Sequence, residues 1–357
     1  MMELEQRKTA FVQLGKVLKP LSENAEWPGY ACGLGESEYN DLAELVDRVK
    51  YHNPWFTPEN VRKAMAAWSE NLEEERLEKW LPPYRKGIER SSNPKSVGIV
   101  MAGNIPMVGF HDLLSVLISG HRAVIKLSSD DNLLIPALIN TLIILEPEFK
   151  SRIIITERLK EMDAVIATGS NNSSRYFDYY FSKYPHIIRK NRNSVAVIEN
   201  DISDDDLALL GEDIFAFFGL GCRNVTQLLL PEDFDIDRFF KAILPYHDIV
   251  NHNKYANNYD YYKALYLMNR ENLLDNGFIL LRPNDSIYSA LGTLHYRHYD
   301  HPENAVKIIE ENLENIQCVV GNSQLLPNAV APGKSQQPAL WDYADGVDTM
   351  EFLSRLD

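Results

Sequence analysis

Residues 96–129 read SVGIVMAGNIPMVGFHDLLSVLISGHRAVIKLSS, and this stretch decides the class of fold. The apolar run at residues 96–102 predicts a strand, and residues 109–119 carry apolar side chains at helical spacing. A second apolar run, at residues 123–127, predicts another strand. Two consecutive strands joined by a helix run parallel, because the helix returns the chain to the edge from which it started. The stretch therefore indicates an α/β fold.

The alternation of strands and helices continues beyond this stretch. Further strands are predicted at residues 152–156, 164–167 and 195–198, and further helices at residues 132–146 and 171–181. This order is typical of a parallel sheet with helices on both faces, the architecture of a Rossmann-type dinucleotide-binding domain. Residues 1–90 instead have the apolar spacing of helices, and Pro82-Pro83 ends this helical N-terminal region.

An acidic linker at residues 199–206 precedes a second, smaller α/β unit. In that unit we predict strands at residues 225–230, 278–281, 293–299 and 317–320, and helices at residues 236–243, 259–268 and 302–313. Asp204 or Asp205 is expected to cap the helix that runs to Phe218. We therefore expect a helical N-terminal region with a dinucleotide-binding domain over 1–205, a catalytic domain over 206–321, and a C-terminal tail over 322–357 that returns to the first domain.

The composition excludes several classes of function. The chain of 357 residues has 36 Lys and Arg against 51 Asp and Glu, a net charge of −15. A surface this acidic repels nucleic acid and anionic lipid headgroups, so we expect neither as a partner. The longest apolar runs are far shorter than the roughly 20 residues that span a bilayer, which argues against membrane insertion. Three cysteines and an N-terminus without a signal-peptide pattern favour the cytoplasm.

Cys222 is the candidate nucleophile. It follows a long predicted helix in the loop Gly219-Leu220-Gly221-Cys222-Arg223 and precedes a strand near the predicted domain boundary. Glycines let a loop backbone approach a substrate closely, and the neighbouring Arg223 favours the reactive thiolate. The ordinary role of a lone cysteine is that of a small buried hydrophobe. We assign that role to Cys318, which lies in an apolar strand.

Three further segments follow strands of the first predicted sheet, at the edge where parallel sheets bind ligands. Asn104 lies in the loop after the first strand and offers an amide donor for an oxyanion. Lys126 ends the second strand and suits ribose hydroxyls or a phosphate. Thr168, Gly169 and Ser170 precede a helix whose first amides suit a pyrophosphate. Read singly, the Asn104 loop is better explained by a turn and the Thr168 to Ser170 segment by a helix cap, whereas a solvated lysine explains Lys126 equally well.

Histidines at residues 247–252 and 295–301 raise the question of a metal site. Their spacings match no zinc pattern, and the cysteines are not paired with them in sequence. Histidines that face solvent or substrate are the better interpretation, and we expect no metal.

The order of these segments resembles the aldehyde dehydrogenase superfamily, and within it the LuxC-like acyl-CoA reductases. Over residues 94–357 the chain matches an Asn-x-Pro loop, a strand that ends in Lys, a Thr-Gly-Ser turn and a cysteine loop after a long helix. Gln336-Gln337-Pro338 and the segment Trp341-Asp342-Tyr343-Ala344-Asp345-Gly346-Val347-Asp348 look like the C-terminal signature of LuxC-like proteins.

The resemblance implies an aldehyde-dehydrogenase-like fold with a Rossmann-type parallel sheet domain, a smaller α/β catalytic domain and a helical N-terminal region. It implies that Cys222 carries the acyl group and that Asn104 supports the oxyanion. The cofactor-binding residues that it implies are Lys126, Ser129, Thr168, Gly169 and Ser170.

One departure from the superfamily bears on the reaction. Relatives that hydrolyse the acyl-enzyme carry a glutamate general base in a Glu-Leu-Gly-Gly motif, whereas residues 187–193 of this chain contain no carboxylate. Without a base to activate water, an acyl group on Cys222 exchanges with another thiol instead of being hydrolysed. The Arg and Lys side chains of this stretch are candidates for contact with coenzyme A phosphates.

A second departure bears on the cofactor. NAD-preferring relatives often place a glutamate three residues after the strand-end lysine, where this chain has Ser129. Loss of that carboxylate leaves room for a 2′-phosphate, which favours NADPH and keeps NADH as the alternative. Asp130 and Asp131 would oppose a phosphate if their side chains turned toward it.

Together these features imply the NADPH-dependent reduction of an acyl thioester, either acyl-CoA or an acyl-carrier thioester, to an aldehyde, with a fatty acyl group favoured. Two alternatives stay open: reduction of an acyl phosphate to a semialdehyde, and acyl transfer through Cys222 without hydride transfer. A homo-oligomer or a partner acyl-transfer enzyme is compatible with the resemblance.

Overall fold

The computed structural model describes residues 2–90, 93–169, 171–326 and 328–356. The chain forms two compact units, one of Met1–Lys190 and Ala339–Asp357, the other of Asn191–Pro338. The division follows Lys190, whereas the sequence places it near residue 205. Of the predicted tail over 322–357, residues 339–357 belong to the first unit and residues 322–338 to the second.

The structure contains most of the helices and strands that the sequence pattern predicts, together with two strands that it does not predict, His186–Arg189 and Leu274–Asp275. In chain order the α-helices are α1 (Leu4–Ser22), α2 (Glu36–Arg48), α3 (Pro58–Asn71), α4 (Glu74–Trp80), α5 (Arg85–Arg90), α6 (Phe110–Ile118), α7 (Leu134–Leu145), α8 (Asn171–Phe181), α9 (Asp204–Phe215), α10 (Ile236–Ala242), α11 (Asn253–Met268), α12 (Pro302–Glu311) and α13 (Thr349–Ser354). The strands are β1 (Ser96–Val100), β2 (Arg122–Lys126), β3 (Ile153–Ile155), β4 (Ala164–Thr168), β5 (His186–Arg189), β6 (Asn193–Val197), β7 (Val225–Pro231), β8 (Leu274–Asp275), β9 (Leu280–Pro283), β10 (Thr293–Tyr299) and β11 (Ile316–Val320). Within the described ranges, no helix combines the length and the apolar character needed to cross a membrane.

The first unit is built on a five-stranded sheet with the order β3-β2-β1-β4-β5, and its neighbouring strands are parallel. The strand order reverses at β1, which pairs with β2 on one side and with β4 on the other. At such a switch point the loops after the two central strands leave toward opposite faces, and a ligand-binding crevice opens between them. The predicted α/β class with a parallel sheet is confirmed.

The helical N-terminal region shares a core with this sheet. Phe11 of α1 packs edge-to-face against Phe110 of α6, with 6.5 Å between ring centroids, and against Phe149 at 5.7 Å. The three rings have no exposed surface beyond 1 %. Burial of one such side chain contributes about 1.5–3 kcal/mol, so the region is an integral part of the first unit. The predicted helical N-terminal region is confirmed.

The second unit contains a six-stranded sheet with the order β11-β6-β7-β10-β9-β8, in which β8 and β9 form the antiparallel pair. The sequence predicts β6 for the first sheet. It lies instead in the second, paired in parallel with β7 and β11. An apolar pattern predicts a strand but does not distinguish between two sheets that both bury their faces.

Helix α9 begins and ends differently from the prediction. Its cap is Ser203, whose Oγ accepts a hydrogen bond from the Asp206 N–H at 3.0 Å, and not Asp204 or Asp205. The helix ends at Phe215 and not at Phe218. Asp204 and Asp205 occupy the first turn, where negative charge is favourable beside the helix N-terminus.

A buried ion pair fastens helix α13 to the first sheet. Arg189, the last residue of β5, donates through Nη1 to both carboxylate oxygens of Asp112 in α6, at 2.6 Å each. Its Nη2 donates to Thr349 Oγ1 at 2.7 Å. The two charged side chains are only 6 % exposed. The interpretation of Arg189 as a contact for coenzyme A phosphates is therefore wrong, because its guanidinium is engaged inside the unit.

Segment 341–348, the candidate C-terminal signature, is tied to the helical N-terminal region by a chain of hydrogen bonds. Trp80 Nε1 donates to the Tyr343 hydroxyl at 2.7 Å, and that hydroxyl donates to the Tyr84 hydroxyl at 3.0 Å. Tyr84 donates in turn to Asp348 Oδ2 at 2.6 Å. Burial and the bond to Asp348 raise the pKa of Tyr84 to about 12, so the hydroxyl stays protonated. These residues have a structural role, because they join segment 341–348 to the helical N-terminal region.

Replacing Asp112 with alanine is expected to lower the free energy of unfolding by about 3–5 kcal/mol, because the Arg189 guanidinium is left buried without its counter-charge. The double variant Asp112→Leu with Arg189→Met should lose clearly less, since it removes both charges. Urea unfolding followed by circular dichroism measures both losses.

The matched control is Glu44→Ala, which breaks the exposed pair between Glu44 and Arg48. Exposed pairs contribute at most about 1 kcal/mol, so this variant should stay close to the parent. A double variant as unstable as Asp112→Ala would contradict the assignment of the loss to an unpaired buried charge.

Candidate active site

The predicted site residues divide between the two units. Lys126, the last residue of β2, pairs in register with Val100 at the end of β1. Thr168 ends β4, one residue beyond the Ala167 that pairs with Val100. The register therefore brings Lys126, Thr168 and the loop that contains Asn104 to the same carboxyl edge of the first sheet.

The described residues at this edge are accessible to a ligand. The side chains of Asn104, Lys126 and Ser129 are exposed, and Thr168 and Gly169 are half-buried. Ser170, the third residue of the predicted Thr-Gly-Ser turn, lies outside the described residues.

Two glycines allow the loops of this edge to pack closely. A Cβ at Gly103 would lie 2.5 Å from Ser128 Oγ, and a Cβ at Gly169 would lie 2.7 Å from the ring of Phe177 in α8. Neither distance is compatible with a side chain, so the loop after β1 can lie against the segment after β2 only with glycine. An exposed lysine and a glycine-lined approach to a helix start are groups that fit the ribose and pyrophosphate of a dinucleotide.

Asp131 turns into the protein and does not oppose a phosphate. It is 3 % exposed, and its Oδ2 accepts a hydrogen bond from the Met107 N–H at 2.8 Å. Met107 has a left-handed backbone with φ of 59°, so this bond holds a strained turn just after the Asn104 loop. Burial raises the pKa of Asp131 to about 6, although the amide of Met107 acts in the opposite direction. Asp130 beside it is exposed.

Cys222 belongs to the second unit, where it lies in a turn directly before β7 and is exposed. The hydroxyl of Ser194, in β6, donates to the Cys222 carbonyl oxygen at 3.1 Å. The thiol is therefore accessible to a substrate, and its role as the nucleophile stays a prediction. Cys318 is buried in β11, as its apolar surroundings predict, and Cys32 is buried as well.

The chain before Cys222 is backbone-strained. Phe217 and Phe218 have left-handed backbones, with φ of 51° and 60°, and Gly219 follows with φ of 77°. A left-handed conformation is unfavourable for phenylalanine, and it is the reason that α9 ends earlier than its apolar periodicity suggests. The ring of Phe218 lies 4.2 Å from that of His252, between centroids.

Asn224 holds this strained loop in place. It is fully buried, and its Oδ1 accepts a hydrogen bond from the Gly221 N–H at 2.7 Å. Its Nδ2 donates to the carbonyl oxygens of Ala216 at 2.9 Å, Asp213 at 3.1 Å and Ile214 at 3.3 Å. One side chain therefore joins the end of α9 to the residue before Cys222. The Gly221 N–H is consumed within the loop and is not directed at a substrate.

A buried carboxylate supports the same helix end. Asp213 has no exposed surface, and its oxygens accept from the Gly333 N–H at 2.6 Å and the Ser335 N–H at 2.9 Å. Burial raises the pKa of Asp213, against the two backbone donors. Asp213 thus connects α9 to the segment that precedes the C-terminal signature.

The histidines that raise the question of a metal site have different surroundings. His247 is exposed beside Asp248, and His295 is buried with Nδ1 2.8 Å from the Ser286 carbonyl oxygen. Burial lowers the pKa of His295, which keeps the ring neutral. Among the residues that the structure describes, no three His, Cys, Asp or Glu side chains are grouped so as to hold a metal ion.

The sequence pattern does not indicate two residues that shape the candidate site, Asp213 and Asn224, and it leaves open whether the side chain of Asp131 is buried. Their types are common in loops and on helix surfaces, and the sequence carries no signal that these particular side chains are buried. Asn224 lies two residues after Cys222, so its proximity to the nucleophile is the signal that could have drawn attention to it.

Comparison with known proteins identifies relatives by sequence. A family model described as Acyl-CoA reductase (LuxC) matches residues 39–243. The long-chain acyl-protein thioester reductase 2 of Photobacterium leiognathi is 24 % identical over 220 residues, which are 55 % of this chain and 44 % of that protein. The match therefore spans less than half the length of this relative.

Solved structures with the same fold are aldehyde dehydrogenases. Aldehyde dehydrogenase 21 from Physcomitrella patens is 13 % identical, with a TM-score of 0.66 over 99 % of this chain and 84 % of that one. Succinic semialdehyde dehydrogenase from Streptococcus pyogenes, solved with NADP+, is 12 % identical, with a TM-score of 0.59 over 92 % and 80 %. Mycobacterium tuberculosis aldehyde dehydrogenase, solved with NAD+, is 14 % identical, with 0.58 over 88 % and 72 %. The predicted aldehyde-dehydrogenase-like fold is confirmed.

Replacing Asp131 with asparagine is expected to stabilise the protein more at pH 7.5 than at pH 5. The folded-state pKa of about 6 exceeds the ordinary value of 3.8, so the folded state retains a proton that the unfolded state releases. Stability of the parent therefore falls as the pH rises from 3.8 to 6, by about 3 kcal/mol, and the asparagine variant escapes this loss. Urea unfolding at both pH values, with the exposed Asp130→Asn as control, measures the difference. A stability difference that does not change with pH would contradict the burial argument.

Replacing Asn224 with alanine is expected to loosen the loop that bears Cys222. The change leaves the Gly221 N–H and the carbonyl oxygens at the end of α9 without their partner, at a cost of about 1–3 kcal/mol for each buried group left unsatisfied. Hydrogen–deuterium exchange across residues 216–224 should become faster.

Asn251→Ala is the matched control, because the exposed Asn251 amide bonds only locally, to Asp248 at 2.9 Å. Exchange across residues 216–224 should not change in this variant. Unchanged exchange in the Asn224 variant would show that the loop keeps its conformation without that side chain.

Proposed function

The chain belongs to the LuxC acyl-CoA reductase family, as its sequence predicts, and on that premise we propose that it reduces an acyl thioester to an aldehyde with NADPH, through an acyl group carried on Cys222. The observation that carries this proposal is the exposed Cys222 on a strained loop that Asn224 joins to the end of α9 by hydrogen bonds. A nucleophile must be both accessible and fixed, because misplacement by about 1 Å can cost about 100-fold in rate.

In the first step the Cys222 thiolate attacks the acyl carbonyl carbon and the thiol of the donor leaves. The new thioester bond forms as the old one breaks, so the acyl group moves without a change of oxidation state. The negative charge that develops on the carbonyl oxygen needs donors, each of which contributes about 3–4 kcal/mol. We assign this role to the Cys222 backbone N–H and the Asn104 amide. The Gly221 N–H is excluded by its bond to Asn224.

In the second step the acyl group is reduced. A reduced nicotinamide, when bound at the carboxyl edge of the first sheet, would supply the hydride that the acyl carbon accepts. The carbon–sulfur bond then breaks, which releases the aldehyde and restores the Cys222 thiolate. Residues 187–193 contain no carboxylate, and in the structure this stretch holds β5 with Arg189 paired to Asp112. No general base from this stretch directs water at the thioester, which favours reduction over hydrolysis.

The carboxyl edge of the first sheet supports a nicotinamide dinucleotide as the cofactor. We assign the ribose to Lys126 and Ser129 and the pyrophosphate to the Thr168, Gly169 and Ser170 turn. Asp131, which would repel a 2′-phosphate from a solvent-facing position, is buried against the Met107 N–H. This favours NADPH, with NADH as the alternative. Both NADP+ and NAD+ occur in the aldehyde dehydrogenases of similar fold.

The donor is proposed to be an acyl-CoA or an acyl-carrier thioester with a fatty acyl chain, in the cytoplasm. The name of the Photobacterium leiognathi relative, a long-chain acyl-protein thioester reductase, supports a long chain. The proposal also includes assembly, either as a homo-oligomer or with a partner acyl-transfer enzyme.

Cys222→Ala is expected to abolish both formation of the acyl-enzyme and consumption of NADPH, since no other described cysteine is exposed. Intact mass spectrometry after incubation with acyl-CoAs of graded chain length detects the added acyl group, and absorbance at the reduced nicotinamide band measures turnover. Cys318→Ala, at a buried thiol, serves as control and should keep both activities.

Each alternative has its own outcome in this experiment. Acylation without NADPH or NADH consumption would indicate acyl transfer, and turnover of an acyl phosphate with release of phosphate in place of a thiol would indicate the semialdehyde-forming reaction. Full activity of Cys222→Ala would rule out the cysteine mechanism.

A further inference from the structure

Two neighbouring side chains of the helical N-terminal region contact the segment that follows β2. His52 Nε2 lies 3.4 Å from the Ser129 carbonyl oxygen. Asn53 Nδ2 donates to the Asp130 carbonyl oxygen at 3.2 Å. In each contact the two residues are 77 positions apart in sequence, and the acceptor is a backbone carbonyl oxygen. The N-terminal region therefore holds the backbone of this segment.

The contacted segment is the one proposed to recognise the adenosine ribose. It begins after Lys126 at the carboxyl end of β2 and runs to the start of α7. Its other side is held by Asp131 through the Met107 N–H. Ser129 is thus fixed between two anchors, and it is the residue whose neutral side chain distinguishes this chain from NAD-preferring relatives.

The side chains of His52 and Asn53 have different surroundings. Asn53 is 8 % exposed, and its Oδ1 accepts from the Trp55 N–H at 3.1 Å, so both ends of its amide are bonded. His52 is exposed, and its contact with the Ser129 carbonyl oxygen is at the long end of hydrogen bonding. A long, exposed bond is readily exchanged for one to a charged phosphate oxygen, which is shorter and about twice as strong.

The charges around Ser129 also favour an anion. Lys126 is exposed at the strand end, and His52 adds a donor on the side of the N-terminal region. Of the two aspartates that follow Ser129, Asp131 is buried and Asp130 is exposed with its carbonyl group bound to Asn53. The surroundings of Ser129 therefore contain two donors, Lys126 and His52, and one solvated carboxylate, that of Asp130.

We propose that the helical N-terminal region completes the cofactor site, with His52 donating to the 2′-phosphate of an NADP-type dinucleotide and Asn53 positioning the ribose-binding segment. This inference rests on the proposed function, and it names the group that selects NADPH over NADH. It requires no covalent change and no residue of the second unit.

The test uses two probes that differ only in the 2′-phosphate: adenosine 2′,5′-bisphosphate and adenosine 5′-monophosphate. Calorimetry on the His52→Ala variant of the 357-residue chain should show binding of the bisphosphate weakened about 10- to 100-fold, the loss expected for one hydrogen bond to a charged group. Binding of the monophosphate should not change. Asn53→Ala should weaken both probes in parallel, because it displaces the segment that both of them contact.

His186→Ala is the matched control, since His186 is an exposed histidine at the amino end of β5, the opposite edge of the same sheet. It should leave both affinities unchanged. An equal loss of both probes in His52→Ala would reduce His52 to a structural role and overturn the inference, and so would no loss at all.

The parent protein separates this inference from the reductase proposal. A parent that binds the monophosphate as tightly as the bisphosphate overturns the selection by His52, while acylation of Cys222 and turnover with NADH would leave the reductase intact. A parent that binds neither probe and consumes neither dinucleotide overturns both.

Discussion

Strand β1 is hydrogen-bonded to β2 on one side and to β4 on the other, and the form of the first unit depends on this double pairing. Because parallel neighbours require crossover connections, the helices that follow β1 and β4 must leave toward opposite faces of the sheet. The loops at the ends of these strands are thereby driven apart, and a crevice opens between them. The candidate cofactor residues Lys126 and Thr168 lie at the same edge of the sheet as the loop that contains Asn104 because of the register of these two pairings.

Buried polar side chains satisfy the hydrogen-bonding groups of the loop backbone, as the pairing of neighbouring strands does within the sheets. In the first unit the Asp131 carboxylate accepts the Met107 N–H, and in the second unit Asp213 accepts the N–H groups of Gly333 and Ser335. Asn224 is both an acceptor and a donor: it accepts from the Gly221 N–H and donates to a carbonyl oxygen at the end of α9. Each satisfies backbone groups that irregular chain would otherwise leave unpaired, at a cost in desolvation. The raised pKa of Asp131 and of Asp213 records that cost.

The apolar pattern predicts most strands and helices, since burial dictates both the pattern and the element. The sheet to which β6 belongs was predicted wrongly, because a doubly buried strand has the same composition in either unit. The predicted end of α9 is wrong for another reason: Phe217 and Phe218 continue the apolar pattern, but they adopt left-handed backbones that no propensity favours.

The prediction for Arg189 is wrong because a basic residue in a basic stretch gives no sign that it pairs with a buried Asp112 far away in sequence. Motifs make Cys222 and Lys126 candidates for the site, whereas the side chains around them depend on tertiary contacts that sequence spacing does not encode.

The contacts of segment 341–348, the candidate C-terminal signature, give this segment a structural role. Tyr343 and Asp348 complete a chain of hydrogen bonds with Trp80 and Tyr84, which fastens the tail to the helical N-terminal region. That region in turn reaches the segment after β2 through Asn53. The tail is thus linked to the carboxyl edge of the sheet through the helices, and a role in substrate chemistry is not needed to explain it.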